Sequence, residues 1–463
     1  MGPPDLVVVS NRGPLTLTSD GAGRQIVTRG GGGLVSSLGP VVSGAGATWV
    51  SAVRSGDGPD GGAVLESDGF RVRPVRIDPD RYRQYYDVVA NSTLWYLHHH
   101  LFDLARRPLL DRRWREAWRS FREVNRAFAE AVADEAADGA TVIVHDYHLA
   151  LMGTELARLR PDLRTAHFHH TPFCGPETLA VLPDDVATQL LQGMAGFGSC
   201  GFHAARWASA FATCGASLLG RVPATFVSPA AVDAEELGSV GRSAECERDL
   251  AALDDQVGDR MLVARVDRIE LSKNIVRGFL AFDELLRVQP RWRERVVFGA
   301  FVYPSRETLP DYIAYRNEVE TVAARVNREW ATPGWTPIML DTSDHFTRSV
   351  AALRRYDVLL VNPVRDGLNL VAKEGFVLNE RDGVVALSRE AGAWDELQGA
   401  ALGVNPFDVA GTAEVLATAL DMDGAERARR AAAGRAASEA RTSAGWLADQ
   451  LRHAAAPARP ASG

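Results

Sequence analysis

Short, continuous apolar runs alternate along this chain with longer segments of helical periodicity. The apolar runs are rich in β-branched residues and bounded by turn residues, and they include Leu6–Ser10, Thr141–His145, Thr165–His169, Met261–Val266, Val296–Phe301 and Val358–Val361. Runs of this kind are typical of strands buried on both faces, as in a parallel sheet. The intervening segments have charged outer faces and predict helices over Arg113–Ala137, Leu149–Arg158, Asn274–Val288 and Asp311–Glu329. The alternation predicts an α/β fold.

The strand signals fall into two groups, over residues 1–225 and 235–435, and Phe226–Asp233 is a plausible crossing between them. We therefore predict an N-terminal Rossmann-like domain over 1–230, a second one over 231–435, and a terminal helix with a disordered tail over 436–463. Two such domains facing each other would place a ligand at the carboxyl ends of both sheets, in the interdomain cleft.

Composition narrows the class of protein. The chain has 463 residues, of which 46% are hydrophobic and 24% charged, as in ordinary soluble proteins of two or three domains. A net charge of −8 argues against a nucleic-acid or membrane-surface partner, so a phosphorylated substrate would need a local basic pocket. There is no secretory signal and no apolar stretch of about 18 residues that would span a bilayer. Four cysteines without a CxxC pair are typical of reduced thiols, and we expect a cytoplasmic protein.

The most informative segment is Asp366-Gly-Leu-Asn-Leu-Val-Ala-Lys-Glu374, which follows a strand signal and is predicted to open a helix. A helix N-terminus favours an anion such as a pyrophosphate. Asp366 and Glu374 would lie two helical turns apart, so that one carboxylate takes sugar hydroxyls and the other ribose hydroxyls. Arg268 and Lys273, which follow another strand, can straddle the pyrophosphate and stabilise its growing charge. The pattern indicates a nucleotide-sugar site.

Several candidates follow strands elsewhere in the chain. The glycine loop Arg29–Leu34 allows close backbone approach to a phosphate or a sugar, although a flexible turn is about as common. Arg12 and Arg306 each end a strand and could grip a phosphate. Asp146 is either a helix N-cap or a carboxylate that accepts from an incoming hydroxyl. His170 could donate to a sugar hydroxyl or to charge developing in the transition state.

Aromatic residues near these strand ends have two interpretations. Trp49, Tyr86 and Trp95 could pack on sugar rings, but aromatic residues are more often core residues. The consecutive histidines His98, His99 and His100 cannot all face one ion, so we predict a structural role and no metal site.

Together these residues resemble those of the trehalose-6-phosphate synthases, retaining glycosyltransferases with the two-domain GT-B fold. The resemblance runs in family order over nearly the whole chain, through Ser10–Arg12, the glycine loop to Leu34, Tyr86–Trp95, His145–Leu149, His170–Phe173, Gly201–His203, Arg268–Lys273, Asp366–Glu374 and Val404–Asp408. It implies an α,α-trehalose-phosphate synthase, a hexosyltransferase that moves glucose from a nucleotide-diphosphate glucose to glucose 6-phosphate. It implies no cofactor and no metal, and its expected partners are small-molecule substrates.

The resemblance also implies roles for individual residues. Arg12, Tyr86 and Arg306 would hold the phosphate of glucose 6-phosphate, Trp49 and Trp95 would shape that pocket, and Asp146 would contact the acceptor glucose. The donor would be bound by the glycine loop and by the strand-end and helix-start residues, namely Gly31, Gly32, Gly33, His170, Arg268, Lys273, Asp366, Gly367, Leu368, Asn369, Leu370, Val371 and Glu374. Asp146, His170, Arg268, Lys273 and Asp366 are the expected catalytic group, and positioning and charge stabilisation would carry the catalysis.

Two departures from the family pattern bear on these expectations. Glu270 stands where the family usually has aspartate, which keeps Arg268 and Lys273 at the same spacing. Asn362 resembles the residue of related guanine-nucleotide users, and an amide can both donate to and accept from a guanine edge. On this basis we expect GDP-glucose rather than UDP-glucose as the donor.

Three alternatives share much of this pattern. A pseudo-glycosyltransferase that couples cyclitols should lose parts of the phosphate and glucose contacts, which this chain keeps. A glucosylglycerol-phosphate synthase would differ at the acceptor pocket. A non-catalytic sugar-phosphate sensor would not need the six residues Asp146, His170, Arg268, Lys273, Asp366 and Glu374. The sequence does not reveal the oligomeric state, and a homo-oligomer stays open.

Overall fold

The computed structural model describes residues 4–19, 25–29, 33–43, 46–54 and 63–456. The chain divides into two compact units, which we call unit 1 (1–230 with 443–463) and unit 2 (231–442). Gly31 and Gly32 of the predicted glycine loop lie outside the described residues, whereas Gly33 is the first residue of a helix.

The described part of unit 1 contains the strands β1 (Leu6–Ser10), β2 (Leu15–Ser19), β3 (Gln25–Arg29), β4 (Thr48–Arg54), β5 (Leu65–Ser67), β6 (Phe70–Ile77), β7 (Thr141–His145), β8 (Arg164–His169), β9 (Ser199–Phe202) and β10 (Thr225–Val227). Eight of them form one sheet in the order β10-β9-β8-β7-β1-β4-β6-β5, and β2 and β3 form a separate antiparallel pair. Within the large sheet every pairing is parallel except that of β5 with β6. The order from β6 through β1 to β7 and beyond is that of a Rossmann-like sheet.

The helices of unit 1 connect these strands, because parallel neighbours need crossover connections. They are α1 (Gly33–Val42), α2 (Pro79–Arg83), α3 (Trp95–His99), α4 (Arg112–Glu135), α5 (Met152–Leu159), α6 (Pro176–Leu179), α7 (Asp184–Ala195) and α8 (Ala205–Leu219). A π-helix over Gln84–Leu94 joins α2 to α3. Long π-helical segments are rare and occur often at functional sites, and this one carries Tyr86.

Unit 2 has six strands, all parallel: β11 (Met261–Ile269), β12 (Val296–Pro304), β13 (Ile338–Asp341), β14 (Val358–Val361), β15 (Val384–Ser388) and β16 (Leu402–Val404). Their order, β13-β12-β11-β14-β15-β16, is the 3-2-1-4-5-6 arrangement of a dinucleotide-binding Rossmann fold. The helices around this sheet are α9 (Ala234–Gly241), α10 (Ala244–Val257), α11 (Ile275–Val288), α12 (Pro310–Trp330), α13 (Phe346–Arg355), α14 (Leu370–Leu378), α15 (Trp394–Leu397), α16 (Val409–Asp421) and α17 (Gly424–Glu439).

After unit 2 the chain returns to unit 1 with a last helix, α18 (Ser443–His453). Trp446 on this helix is buried, and its indole N–H donates to the carbonyl of Ser228 at 3.0 Å. The hydroxyl of Ser228 donates to Asp449 at 2.8 Å, and Ala455 exchanges backbone hydrogen bonds with Thr165. These bonds attach the C-terminal helix to the β8 and β10 side of the sheet.

The α/β prediction is confirmed, and the strands were predicted closely. β1, β7 and β14 begin and end where the apolar runs do, and Val7, Val8 and Val9 have no exposed surface. The predicted helix start at Asp366 was wrong. The helix α14 begins at Leu370, because Asn369 adopts a left-handed backbone with φ of 75° and caps it, its side chain accepting from the N–H of Ala372.

Candidate active site

The candidate residues of unit 1 lie at the carboxyl ends of β1 and β7, where the order of strand addition reverses. β1 pairs in parallel with both β4 and β7, so Arg12 after β1 and Asp146 after β7 emerge at the same edge of the sheet. Open α/β sheets bind ligands at this reversal point. The prediction that these residues share one region is consistent with the strand order.

Arg12 contacts Tyr86 directly. Its Nη2 donates to the Tyr86 hydroxyl at 3.1 Å, and its guanidinium lies 5.8 Å from the centre of the Tyr86 ring. The Tyr86 ring stacks on Tyr82 at 5.3 Å and on His148 at 5.5 Å. Arg12 itself is exposed. An exposed guanidinium held on a fixed aromatic ring is a suitable site for a phosphate.

The two candidate tryptophans, Trp49 and Trp95, are both buried. Trp49 has no exposed surface, and its indole N–H donates to Ser10 Oγ at 2.8 Å, while Ser10 Oγ donates to the carbonyl of Arg12 at 2.6 Å. Trp95 is 4% exposed and packs against His99 with ring centres 4.2 Å apart. Since both indoles are buried, they hold their neighbours in place and present no free face to a sugar.

Asp146 is an N-cap, as one of its two interpretations predicted. Its carboxylate accepts from the N–H of Tyr147 at 2.9 Å, at the start of a short 3₁₀ helix over Tyr147–Leu149. Its backbone has a φ of 73°, which is rare for residues other than glycine and recurs at functional sites. The second carboxylate oxygen lies 3.7 Å from His148 Nδ1.

His170 lies between His203 and His145 in a hydrogen-bonded chain of three histidines. The backbone N–H of Ala230 determines which ring nitrogens of this chain carry protons. The N–H of Ala230 donates to His203 Nδ1 at 3.2 Å, so the ring proton of His203 lies on Nε2. That nitrogen donates to His170 Nδ1 at 3.2 Å, which leaves the proton of His170 on Nε2, directed at His145 Nδ1 at 3.1 Å. Trp446 stacks on His203 with ring centres 6.3 Å apart.

His170 and His145 are neutral at ordinary pH. Burial lowers the pKa of His170 to about 3 and lowers that of His145 well below its usual value, because a charged imidazole loses its hydration there. Both ring nitrogens of His170 are engaged by other histidines. The predicted donation from His170 to a sugar hydroxyl therefore requires its Nε2–H to leave His145, and that role stays a prediction.

In unit 2 the candidates lie at the reversal point between β11 and β14. Lys273 Nζ lies 2.7 Å from Asp366 Oδ2 and 3.7 Å from Asp267 Oδ1. Burial opposes the charged ammonium, but the two carboxylates raise the pKa of Lys273 above its usual value. Lys273 and Asp366, which the sequence predicted for the same site, are 93 positions apart in the chain and form one ion pair.

Arg268 follows the same strand and is the more accessible cation. Its side chain is 47% exposed, and its Nη1 lies 3.2 Å from Glu270 Oε1. The carboxylate of Glu270 raises the pKa of Arg268. Arg306 contacts the same Glu270 oxygen at 3.3 Å, so the structure places Arg306 beside Arg268 in unit 2. Its predicted role toward the acceptor phosphate stays a prediction.

The loop from Asp366 to Asn369 is held by a segment that the sequence did not single out. The backbone N–H of Asp366 donates to the backbone carbonyl of Glu390. In return, the N–H of Gly392 donates to the carbonyl of Asp366, and the N–H of Ala393 donates to the carbonyl of Leu368. A Cβ on Gly392 would overlap the carbonyl oxygen of Gly367, so only glycine fits there. This packing fixes the backbone that leads to the N-terminus of α14, where Leu370 and Val371 begin the helix.

Glu374 lies in the second turn of α14 and is half-buried. Burial raises its pKa to about 7, against the opposing effect of Lys273. Hydroxyl groups of a ligand that donate to such a carboxylate stabilise its ionised form. This is consistent with the predicted contact between Glu374 and the ribose.

Asn362 is placed differently from the prediction. Its side chain is 1% exposed, and its Oδ1 accepts from Arg265 Nη1 at 2.6 Å, beneath the N-terminal turns of α11. The backbone carbonyl of Asn362 accepts from the side-chain amide of Asn274 at 3.0 Å. The amide is thus used inside unit 2, and a direct contact between Asn362 and a nucleotide base has no support from this geometry.

The sequence analysis assigned no role to the residues that support the site, although Ser10, Asn11 and His203 lie in segments that resemble the family. Among them are Ser10, Asn11, Tyr82, His203, Asp267, Gly392 and Trp446. His203 and Ser10 had a signal, since they stand next to strand ends, but their partners come from distant positions. Within the described residues, no group of three or more His, Cys, Asp or Glu side chains is arranged to hold a metal ion, and no helix is long and apolar enough to cross a membrane. All four cysteines lie within the described residues, where they are buried and form no disulfide.

Two Rossmann-like units, each with a cationic side chain at its sheet reversal point, are the architecture of the GT-B class of glycosyltransferases. The sequence model of glycosyltransferase family 20 matches residues 4–456. The chain belongs to this family.

Relatives at the level of sequence and structure agree with this assignment. The trehalose-6-phosphate synthase of Mycobacterium sp. (strain JLS) is 34% identical over 455 residues, covering 93% of this chain and 92% of that protein. The E. coli trehalose-6-phosphate protein bound with UDP-2-fluoro glucose has a TM-score of 0.86 at 27% identity, covering 98% of this chain and 100% of the other. The UDP-forming α,α-trehalose-phosphate synthase of Burkholderia xenovorans in complex with glucose-6-phosphate has a TM-score of 0.85 at 28% identity, covering 96% and 99%.

Proposed function

We propose that this enzyme transfers glucose from a nucleotide-diphosphate glucose to glucose 6-phosphate, with retention of configuration, and so forms trehalose 6-phosphate. The observation that carries the proposal is the ion pair of Lys273 with Asp366 beside the exposed Arg268, at the reversal point of a Rossmann sheet. Relatives whose names include trehalose-6-phosphate synthase cover nearly the whole chain, which supports the same substrates here.

The donor would bind to unit 2 through complementary charges. Arg268 and Lys273 would take the diphosphate, helped by the N-terminus of α14, and Glu374 would accept from the ribose hydroxyls. Asp366 would accept from hydroxyls of the donor glucose. Because Asp366 also pairs with Lys273 at 2.7 Å, the sugar and the diphosphate would be aligned by one rigid pair of side chains.

The acceptor would bind to unit 1. The exposed guanidinium of Arg12, held on Tyr86, would take the phosphate of glucose 6-phosphate, with Arg306 as its second predicted cation. Asp146 would accept from an acceptor hydroxyl, and its strained backbone fixes the direction of the carboxylate.

The chemical step that we propose uses the predicted roles of these residues. The bond between the donor C1 and the β-phosphate oxygen breaks, and the acceptor hydroxyl forms the new bond on the same face of the sugar. The hydroxyl proton passes to the departing phosphate, so no protein nucleophile is used. Arg268 and Lys273 stabilise the negative charge that grows on the diphosphate, and this compensation is the main catalytic contribution we assign to the protein.

The identity of the nucleotide base in the sugar donor rests on different observations. The sequence pattern at Asn362 favours GDP-glucose, but the buried bond to Arg265 means that the GDP proposal rests on that pattern alone. Of the solved relatives above, one is bound with UDP-2-fluoro glucose and the other is described as UDP-forming. Both donors therefore belong in the same assay.

The experiment is to incubate the protein with glucose 6-phosphate and with UDP-, GDP- or ADP-glucose, and to identify the products by mass spectrometry and by the anomeric configuration in NMR. We expect an α,α-linked disaccharide phosphate. Formation of no disaccharide phosphate from any donor would overturn the transferase proposal, and a clear preference for UDP-glucose would overturn the Asn362 argument. Glycerol 3-phosphate as a competing acceptor tests the glucosylglycerol-phosphate alternative.

A further inference from the structure

A single carboxylate oxygen of Glu270 joins two arginines that bind different substrates in the function proposed above. Oε1 lies 3.2 Å from Arg268 Nη1 and 3.3 Å from Arg306 Nη1, and it also accepts from Ser305 Oγ at 3.0 Å. The Glu270 side chain is 1% exposed. A buried carboxylate would be costly without these partners, and two guanidinium groups and a hydroxyl supply them.

The strand pairing explains why these groups meet. β11 and β12 are parallel, with Arg268 opposite Tyr303 and Ile269 opposite Pro304. Glu270 and Ser305 therefore leave neighbouring strands at the same level, and Arg306 follows one residue later.

The side chains of Arg268 and Arg306 differ in how strongly their surroundings constrain them. Arg268 is 47% exposed, so its guanidinium can follow a ligand while keeping one bond to Glu270. Arg306 is 10% exposed, has a left-handed backbone with φ of 49°, and donates to the Tyr312 hydroxyl. Arg306 is therefore held by Glu270 and Tyr312 together, whereas Arg268 has Glu270 as its ion-pair partner and more room to move.

The charges also favour a shared role. One carboxylate against two guanidinium groups leaves an excess positive charge for an incoming anion. The arginines hold the pKa of Glu270 down to about 2 although burial opposes its ionised form, so the carboxylate keeps its charge at every working pH.

We propose that Glu270 is a positioning residue that aims Arg268 at the donor diphosphate and Arg306 at the phosphate of the acceptor, and thereby couples the two anion sites. This inference rests on the proposed function, and specifically on the acceptor role of Arg306. Glu270 touches neither substrate; it acts through the two arginines.

The first variant is Glu270→Gln, which keeps the size of the side chain and removes its charge. We expect the KM for the nucleotide sugar and the KM for glucose 6-phosphate each to rise by about tenfold, within the usual range of coupling between sites. Glu307→Gln is the matched control, because Glu307 is 70% exposed, pairs with Arg316 at the surface and lies next to Arg306 in the chain. It should change neither KM.

The second variant is Glu270→Asp, which keeps the charge and shortens the reach. The flexible Arg268 can follow the shorter carboxylate and the fixed Arg306 cannot, so we expect the KM for glucose 6-phosphate to rise more than that for the nucleotide sugar. Ser305→Ala, which removes the hydroxyl from Oε1, should raise both by a smaller factor. These milder changes keep the proposal testable if Glu270→Gln does not fold.

Double-mutant cycles separate positioning from a general loss of structure. Calorimetry gives the Kd of UDP and GDP for the wild type, Glu270→Gln, Arg268→Ala and the double variant, and the Kd of glucose 6-phosphate for the corresponding set with Arg306→Ala. We expect strong non-additivity in both cycles, because Glu270 has nothing left to aim once the arginine is gone. Additive losses, or an effect on one ligand only, would overturn the coupling.

The cycles also distinguish this inference from the proposed function. If the wild type binds both ligands but forms no disaccharide phosphate, the transferase proposal fails while the cycles still report on Glu270. If the wild type is active and Glu270→Gln and Ser305→Ala leave both affinities unchanged, the positioning role alone is refuted.

Discussion

Lys273 Nζ lies 2.7 Å from Asp366 Oδ2, although the two residues come from the ends of different strands. Replacing Lys273 with methionine keeps much of the stem and removes the charge. We expect kcat/KM to fall by about 10²–10³-fold, as for the loss of one preorganised group that stabilises transition-state charge. Asp366 would also lose one of its partners, keeping the bond from Asn369, and would be oriented less strictly toward the donor sugar.

The measurement is steady-state kinetics with the best donor, together with the thermal unfolding temperature. Arg316→Ala is the control, since Arg316 lies in the same unit and, among the residues that the structure describes, forms ion pairs with the surface residues Glu307 and Glu320. Normal turnover by Lys273→Met would contradict the role of the pair.

Arg268→Ala should abolish measurable turnover, because the departing diphosphate loses its most accessible counter-charge. Arg268→Lys should recover only a part of the activity, since an ammonium cannot bridge Glu270 and a phosphate as a planar guanidinium does. Single-turnover assays give the rate of the chemical step directly. A near-normal kcat for Arg268→Ala would refute the leaving-group role.

The sequence predicted the sheets and the strand-end residues well, because apolar runs and the residues that follow them are local features. β1, β7 and β14 were placed at their observed bounds. Partners that come from distant segments were not accessible in this way. The buried bond of Asn362 to Arg265 is one example, and the sharing of Glu270 by Arg268 and Arg306 is another. Both depend on which strands become neighbours, and no local pattern encodes that.

Tyr86→Phe should weaken acceptor binding while leaving donor binding unchanged. The variant removes the hydroxyl that accepts from Arg12 at 3.1 Å but keeps the ring between Tyr82 and His148. One lost hydrogen bond to a charged group is worth about 1.5–3 kcal/mol, so the KM for glucose 6-phosphate should rise by about tenfold or more. Arg12→Ala should have a larger effect in the same direction. A change in the KM of the nucleotide sugar instead would move Arg12 and Tyr86 out of the acceptor site.

His203→Phe should alter the ring proton of His170. With His203 intact, the proton of His170 lies on Nε2, because His203 donates to Nδ1. The phenyl ring preserves the stacking on Trp446 but donates nothing, which frees Nδ1 of His170. We expect ¹⁵N NMR to show a neutral Nε2–H tautomer for His170 in the wild type from pH 5 to 8 and a mixture of tautomers in the variant. A charged His170 within that range would contradict the neutral chain of histidines.

Glu374 should make donor binding depend on pH near neutrality. Burial raises its pKa to about 7 from an ordinary value of 4.5, and only the ionised form accepts from both ribose hydroxyls. As the pH falls below about 7, the Kd of the nucleotide should therefore rise, approaching a tenfold increase per pH unit. Binding at pH 6.5 should release a proton, which calorimetry in buffers of different ionisation enthalpy measures.

The same raised pKa has the opposite consequence for stability. The folded protein holds the proton of Glu374 more tightly than the unfolded chain does, so ionisation of Glu374 destabilises the fold progressively as the pH rises from about 4.5 to about 7. Glu374→Gln should therefore raise the unfolding temperature at pH 8, weaken nucleotide binding, and remove the pH dependence of that binding. Glu414→Gln, an exposed change on α16, should do none of these. If Glu374→Gln leaves the pH dependence of nucleotide binding in place, another group titrates there and the assignment of Glu374 to the donor is wrong.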